Sequence, residues 1–213
     1  MPDTHTLLLF VLAGWLLNLT PGPDVLCIVR HALRDGVRAG MVAGLGVVGG
    51  CFVHVGAAAL GVGVLLQGSA TAFTVLKLLG AAYLCWIGLQ ALRAPSGLGL
   101  PTDGAAPARA APALRGVFLD GFWTNVLNPK VALFFLAFLP QFIAPGTSDP
   151  TTAFLALGLL FNLASVPINL GWAALAAWLA GRPSMQRGLA WVDRVAGVLL
   201  IGFGLRLAWS ERP

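Results

Sequence analysis

Apolar residues run in long stretches along the chain rather than alternating with polar ones. A helix that crosses a bilayer needs about 20 mostly apolar residues. Six stretches supply them, at about Thr6–Cys27, Ala39–Leu66, Ala70–Leu92, Val117–Phe142, Thr152–Ala180 and Leu189–Trp209. No Asp, Glu, Lys or Arg occurs from Ala39 to Leu76, a length that exceeds one span. Gln67-Gly68-Ser69 is the natural turn inside it. The sixth stretch is the least clear, because Asp193, Arg194 and Arg206 crowd its ends. A transmembrane β-barrel would need alternation, and runs such as Ala57–Leu66 have none.

Two of the six stretches are interrupted. The first contains Asn18-Leu19-Thr20-Pro21-Gly22-Pro23-Asp24 and the fourth contains Asn125-Val126-Leu127-Asn128-Pro129-Lys130. Proline lacks the amide donor that a helix interior needs, so both helices are expected to break there. The broken ends leave carbonyls that require water, a side chain or a ligand. Asn18 and Thr20 stand beside the first break, Asn125 and Asn128 beside the second. The helix that restarts at Pro129 offers amide groups and a positive dipole end to a carboxylate.

The order of features repeats. Leu19-Thr20-Pro21 is similar to Leu127-Asn128-Pro129, Lys77-Leu78-Leu79-Gly80 to Arg194-Val195-Ala196-Gly197, and Gly88-Leu89 to Gly204-Leu205. Each half then holds three helices, and an odd number inverts the second half relative to the first. The expected fold is an all-α integral membrane protein of six transmembrane helices, arranged as two inverted three-helix repeats with broken first and fourth helices. It forms one transmembrane domain over 1–213, with repeat one at about 1–92, a cytoplasmic linker at about 93–114 and repeat two at about 115–213. Inverted repeats with paired broken helices are a recurring transporter plan, with the site near the midplane.

Composition supports the bilayer. Of the 213 residues, 58% are hydrophobic and 10% charged, with mean hydropathy +0.85. A soluble domain carries about 25% charged residues. The net charge of +5 does not indicate nucleic acid, because the bases sit in short loops. Loops one-two, three-four and five-six carry Arg30, Arg34, Arg38, Arg93, Arg109, Arg115, Arg182 and Arg187. The opposite side has Arg212 in water, with Lys77 and Arg206 near its interface. The positive-inside rule puts the arginine-rich loops in the cytoplasm and both termini outside. The proline-rich stretch from Arg93 to Leu114 reads as a mobile linker. Met1-Pro2-Asp3-Thr4-His5 has no basic n-region, so no cleaved signal is expected. Trp191 and Trp209 fit interfacial belts, and the other tryptophans are expected to pack inside.

Asp24 and Lys130 are the charges that matter most. A charge near the bilayer centre costs about 3 kcal/mol on insertion scales and usually faces a bundle interior with a partner. Lys130 lies mid-helix, too deep to snorkel. Asp24 is nearer the cytoplasmic end, so it pairs either with Lys130 or with a loop arginine. Asp120 is expected at the interface. The substrate-binding set is therefore Asn18, Thr20, Pro21, Gly22, Pro23, Asp24, Asn125, Asn128, Pro129 and Lys130, able to hold a zwitterion or exchange a proton. Gly46 and Gly50 make a GxxxG suited to close helix packing. His54 reads first as a packing histidine. Asn162, Ser165, Pro167 and Asn169 form a polar stripe that either lines the cavity or bonds between helices. Cys27, Cys51 and Cys85 lie in no CxxC, so no disulfide framework or zinc site is expected.

These residues also resemble a family. Asn18 to Pro23, the glycines from Gly36 into the second stretch, Lys77 to Gly88, and Thr124 to Phe135 leading to Leu139-Pro140-Gln141-Phe142 are similar to the LysE/RhtB family of amino-acid exporters. The likeness covers almost the whole chain. It implies export of a small amino acid or derivative across a bacterial inner membrane, driven by the proton gradient. Partners would be the amino acid, protons and lipid, with no nucleic acid, no cofactor and no metal; a bundle this small suits a homodimer. No Gly-x-x-x-x-Gly-Lys-Ser/Thr occurs, so a gradient or a partner must supply energy. The chain reads as a transporter and not an enzyme. The alternatives are an intramembrane thiol-disulfide carrier, opposed by cysteines in the first half only, and a divalent metal-ion exporter, opposed by a lysine in the site.

Overall fold

A computed structural model describes residues 4–68, 70–93, 113–143, 147–179, 194–195, 197–205 and 208–209. These are helical apart from short connections, with no strand among them. The elements are α1 (Thr4–Leu19), α2 (Pro23–Asp35), α3 (Val37–Gly68), α4 (Ala70–Arg93), α5 (Leu114–Val126), α6 (Pro129–Leu133) and α7 (Pro150–Leu179). A π turn, Phe134–Phe138, and a 3-10 turn, Leu139–Phe142, prolong α6. Most of the expected linker, and the loop between the fifth and sixth stretches, lie outside the described residues.

α3, over Val37–Gly61, and α7 are each long and apolar enough to cross a bilayer. α1 with α2, bent by 55°, and α5 with the α6 segment, bent by 47°, each qualify when counted as one span. The described residues thus provide two to four candidate spans in an all-helical membrane protein. Both bends fall on the prolines. Pro23 and Pro129 begin the new helices, where the missing amide would have had no partner anyway.

The first segment does not end at Cys27. α2 continues to Asp35, so Arg30 and Arg34 stand on a helix, not in a loop. The reason is amphipathic spacing. Val25, Ile28, Val29 and Ala32 are buried on one face while Arg30 and Arg34 are exposed on the other. Gly36, at φ 91°, makes the corner into α3, a conformation that favours glycine. Arg38 falls in the first turn of α3. At the other end of the bundle Asp149 caps α7. Its carboxylate accepts from the Thr152 amide at 3.0 Å and from the Thr152 hydroxyl. Those bonds hold its pKa below the ordinary carboxylate value.

Two apolar clusters share the helices between them. One joins Phe10 and Leu17 of α1, Val55 of α3, Phe134, Phe135 and Phe138, and Phe154 and Phe161 of α7. Its rings touch closely, Phe134 lying 4.9 Å from Phe161 and 5.1 Å from Phe138. The other joins Val25 and Ile28 of α2, Ala43 and Val47 of α3, Val117 of α5, and Trp172 and Ala176 of α7. Each bent pair gives one half to each cluster. The buried polar residues Thr20, Asn125, Asn128, Lys130, Asn162, Ser165 and Asn169 fall at the helix positions between the two, forming a polar waist. The outer surface carries large apolar side chains such as Leu8, Leu60 and Leu163, as a lipid-facing surface should. Trp15, Trp86, Trp123 and Trp178 join them at 42–55% exposure, which corrects the expectation that they pack inside. Trp172 alone of the described tryptophans is buried.

α3 makes its most extensive contacts with α5 and α7. At the α5 crossing the backbones touch. A Cβ on Gly46 would lie 2.1 Å from the Phe118 carbonyl oxygen, one on Gly50 2.4 Å from that of Phe122, and one on Gly121 2.2 Å from that of Ala43. The GxxxG is therefore a packing device, and it seats the helix that carries Asn125. Gly121→Ala is expected to destabilise the protein by about 1–3 kcal/mol through overpacking. Gly56→Ala, facing open space, should change stability by less than about 1 kcal/mol. Thermal unfolding of the two variants in one detergent measures the difference.

Candidate functional site

Two carbonyls at the first break are met from other helices. α1 closes with the Thr20 amide on the Leu16 carbonyl at 3.0 Å. The Asn18 amide group and the Thr20 hydroxyl fold back onto the Gly14 and Leu16 carbonyls, at 2.8 and 2.7 Å. The carbonyls of Asn18 and Thr20 lie past that last turn. Trp172 Nε1 of α7 donates to the first at 3.2 Å, and Lys130 Nζ donates to the second at 2.6 Å.

The second break is capped from within. Asn128 Oδ1 accepts from the Lys130 amide at 3.0 Å, so Asn128 is the N-cap of α6. The Asn128 amide bonds the Asn125 carbonyl at 2.9 Å. His54 Nε2 of α3 lies 2.9 Å from the same carbonyl oxygen, a donor in the tautomer that bond requires. Its ring stacks on Phe135 at 6.4 Å. His54 is thus a satisfied packing histidine that props the second break.

The two breaks are joined reciprocally. Lys130 of the second reaches the Thr20 carbonyl of the first, and Asn125 Nδ2 of the second donates to Asp24 Oδ2 of the first at 2.9 Å. Lys130 is only 9% exposed. The charges of Asp24 and Lys130 act on each other electrostatically, but no ion pair bonds them directly. Among the described residues no arginine pairs with Asp24, and Arg30 pairs with Asp120 of α5 instead. Asp120 also meets His31 Nε2 at 2.9 Å, while His31 Nδ1 meets Asp35 at 2.9 Å. This polar group ties α2 to α5 a second time.

Thr20, Asp24, Asn125, Asn128 and Lys130 therefore converge. Gly22 packs beside them, since a Cβ there would sit 3.5 Å from Lys130 Cδ and Nζ. Its φ of −168° is ordinary extended backbone, and a Cβ at that distance would make ordinary contact, so neither conformation nor crowding requires glycine here. Asn18 contributes its carbonyl while its side chain turns away. Pro21 is half-buried, whereas Pro23 and Pro129 are exposed and set the backbone path.

Several polar atoms at this waist have no protein partner: Asp24 Oδ1, Asn125 Oδ1, Asn128 Nδ2, both amide atoms of Asn162, and Asn169 Nδ2. A buried polar atom left unpaired costs about 1–3 kcal/mol. Asn162 and Asn169 lie on the buried face of α7 with Ser165 and Trp172. Ser165 donates to the Asn162 carbonyl at 2.8 Å in its own helix. Among the described residues, the Asn162 side chain and Asn169 Nδ2 make no bond to another helix. Trp172 also meets the first break and was not among the expected residues; its spacing on the Asn162–Asn169 face was the available signal. Cys27, Cys51 and Cys85 are all free thiols.

Apolar candidate spans, two of them bent pairs around a buried polar waist, define a helical membrane protein with a polar interior. The chain belongs to the LysE type translocator family, whose sequence model matches residues 15–211; members of that family are transporters. It is 31% identical over 204 residues to a homoserine/homoserine lactone efflux protein of Salmonella typhimurium, covering 93% of this chain and 94% of the relative. It is 32% identical over 197 residues to a threonine efflux protein of Escherichia coli, covering 91% and 92%. An uncharacterized membrane protein of Vibrio cholerae is 32% identical over 209 residues, covering 98% and 99%. No solved structure matches the chain.

Asn128→Ala is expected to cost about 1 kcal/mol through loss of the cap. Asn128→Ser, which can still accept from the Lys130 amide, should recover most of that. Equilibrium unfolding in detergent distinguishes the two.

Proposed function

We propose that this protein is a secondary active transporter that exports a small amino acid, or a derivative of one, from the cytoplasm, driven by the proton gradient. The observation that carries this reading is the reciprocal joining of the breaks, which leaves one acid, one base and several amide atoms facing each other with bonding capacity unused. The substrate carboxylate would take the Lys130 ammonium and Asn128 Nδ2. The substrate ammonium would take Asp24 Oδ1 and the Thr20 carbonyl that Lys130 vacates. Because Asn128 already holds the Lys130 amide, the carboxylate contact falls to side chains and not to the helix start.

A site with one charge of each sign suits a zwitterion whose side chain is neutral. Asn162 and Asn169 offer amides to a polar side chain. Threonine and homoserine, in the names of the relatives, fit that description. Asp24, with a free oxygen, would carry the proton. The membrane arrangement proposed with it has six spans in the bacterial inner membrane, both termini outward, repeat one at about 1–92 and repeat two at about 115–213. The repeats would rock about the waist to open each side in turn.

Efflux from loaded proteoliposomes tests the reading. Lys130→Ala should lower threonine or homoserine efflux at least ten-fold, in line with the ~3–5 kcal/mol cost of removing one partner from a buried charge arrangement. Export by Lys130→Ala at the wild-type rate, with and without a pH gradient, would sink the site assignment. Asp24→Asn should still exchange labelled substrate across the membrane but no longer respond to an imposed pH gradient. An unchanged response would remove Asp24 as the proton carrier.

A further inference from the structure

Away from the waist, side chains with metal-binding chemistry gather where α2 meets α5. Cys27 and His31 are four residues apart, on one face of α2, and Asp120 comes from α5. The Cys27 sulfur, a His31 ring nitrogen and an Asp120 carboxylate oxygen all lie within 4.8 Å of one another. We propose that these three residues bind Zn²⁺ or a similar borderline transition-metal ion, with water as the fourth ligand.

The donor set of one thiolate, one imidazole and one carboxylate matches what such ions take. His31 is oriented for it. Its Nδ1 lies 2.9 Å from Asp35 Oδ2 and its Nε2 lies 2.9 Å from Asp120 Oδ2. A carboxylate on the far nitrogen is the usual support of a metal-ligating histidine, since it fixes which nitrogen presents its lone pair. With Nδ1–H given to Asp35, Nε2 faces the Asp120 carboxylate at 2.9 Å, a contact that a proton on Nε2 satisfies and that a bound cation would replace. Arg30 shares the same Asp120 oxygen; it is exposed, and the second carboxylate oxygen can take it when a metal holds the first. An open cleft of about 540 Å³, lined by His31, Val117, Asp120 and Trp123 among others, supplies the approach and the water. On binding, the Cys27 thiol loses its proton to solvent. No electron is transferred.

α2 and α5 are the halves of the two broken helices that share the arginine-bearing side. A metal there would clamp them and hold that side closed. This consequence rests on the transporter reading above; the binding does not.

Titration of the purified full-length protein with Co²⁺, followed by electronic absorption, tests the site. The expected result is a thiolate-to-cobalt charge-transfer band that Zn²⁺ displaces. The band should persist in the Cys51→Ala/Cys85→Ala double variant and vanish in Cys27→Ser. Affinity should fall at least ten-fold in His31→Ala and Asp120→Asn, and ten- to a hundred-fold in Asp35→Asn. Absence of the band in wild type, its survival in Cys27→Ser, or unchanged affinity in Asp120→Asn overturns the site. Asp120→Asn alters an exposed residue, so it keeps the test decisive even if Cys27→Ser misfolds. Zn²⁺ should slow efflux by wild type and not by Asp120→Asn. Metal binding without that slowing overturns the clamp and leaves the site standing.

Discussion

An amide donor removed at membrane depth has to be answered by something other than water, and the rest of this molecule is arranged around that demand. Pro21, Pro23 and Pro129 end one helix and start the next at each bend, and bilayer hydrocarbon offers no donor to the carbonyls left there. The protein answers across the gap. The second broken helix sends Lys130 to the Thr20 carbonyl and Asn125 to Asp24, while α7 sends Trp172 to Asn18 and α3 sends His54 to Asn125. Each break is only partly satisfied within its own helix, by the Asn128 cap at the second and the Thr20–Leu16 bonds at the first. Each depends on the other, so separating them requires a substitute for the bonds that join them.

The surroundings make that dependence workable. Each apolar cluster packs a half of one bent pair against a half of the other, and the polar waist lies between the clusters. α3 and α5 touch backbone to backbone through Gly46, Gly50 and Gly121, which leaves Asn125 little freedom to move relative to α3. The contact between α1 and α7 is softer. A Cβ on Gly14 would meet Phe161 ring atoms at 3.0 and 3.2 Å, and a ring can turn where a backbone cannot. Rigid seating on one side and adjustable packing on the other would suit the rocking motion proposed above.

Much of this was legible in the residues because helix breaks and apolar length are local properties. Pro21, Pro23 and Pro129 mark the bends directly, and Lys130 and Asp24 stand out because charge is rare in such runs. The boundary at Asp35 was harder. Counting apolar length cannot see that Val25, Ile28, Val29 and Ala32 share one buried face while arginines occupy the other. The choice of partner was out of reach altogether. Asp24 meets an asparagine 101 residues away, and Lys130 meets a carbonyl 110 residues away; a backbone acceptor has no sequence signature. The same holds for Cys27, His31 and Asp120, which sit together only because α2 runs on past its expected end.

The absence of a direct Asp24–Lys130 bond bears on how such a site can work. Breaking a buried ion pair by taking one partner away costs about 3–5 kcal/mol, so a closed pair would hold the two breaks shut against an incoming ligand. Here each charge is met by a neutral group from the opposite helix, and each keeps bonding capacity in reserve. On the reading proposed above, an incoming zwitterion would have no ion pair to dissolve. It would exchange one neutral contact for one charged contact at each end, and the carbonyl that Lys130 released would accept from the substrate ammonium. Binding would then replace the bonds between the breaks with bonds through the substrate, coupling occupation of the site to freedom of the two halves to move.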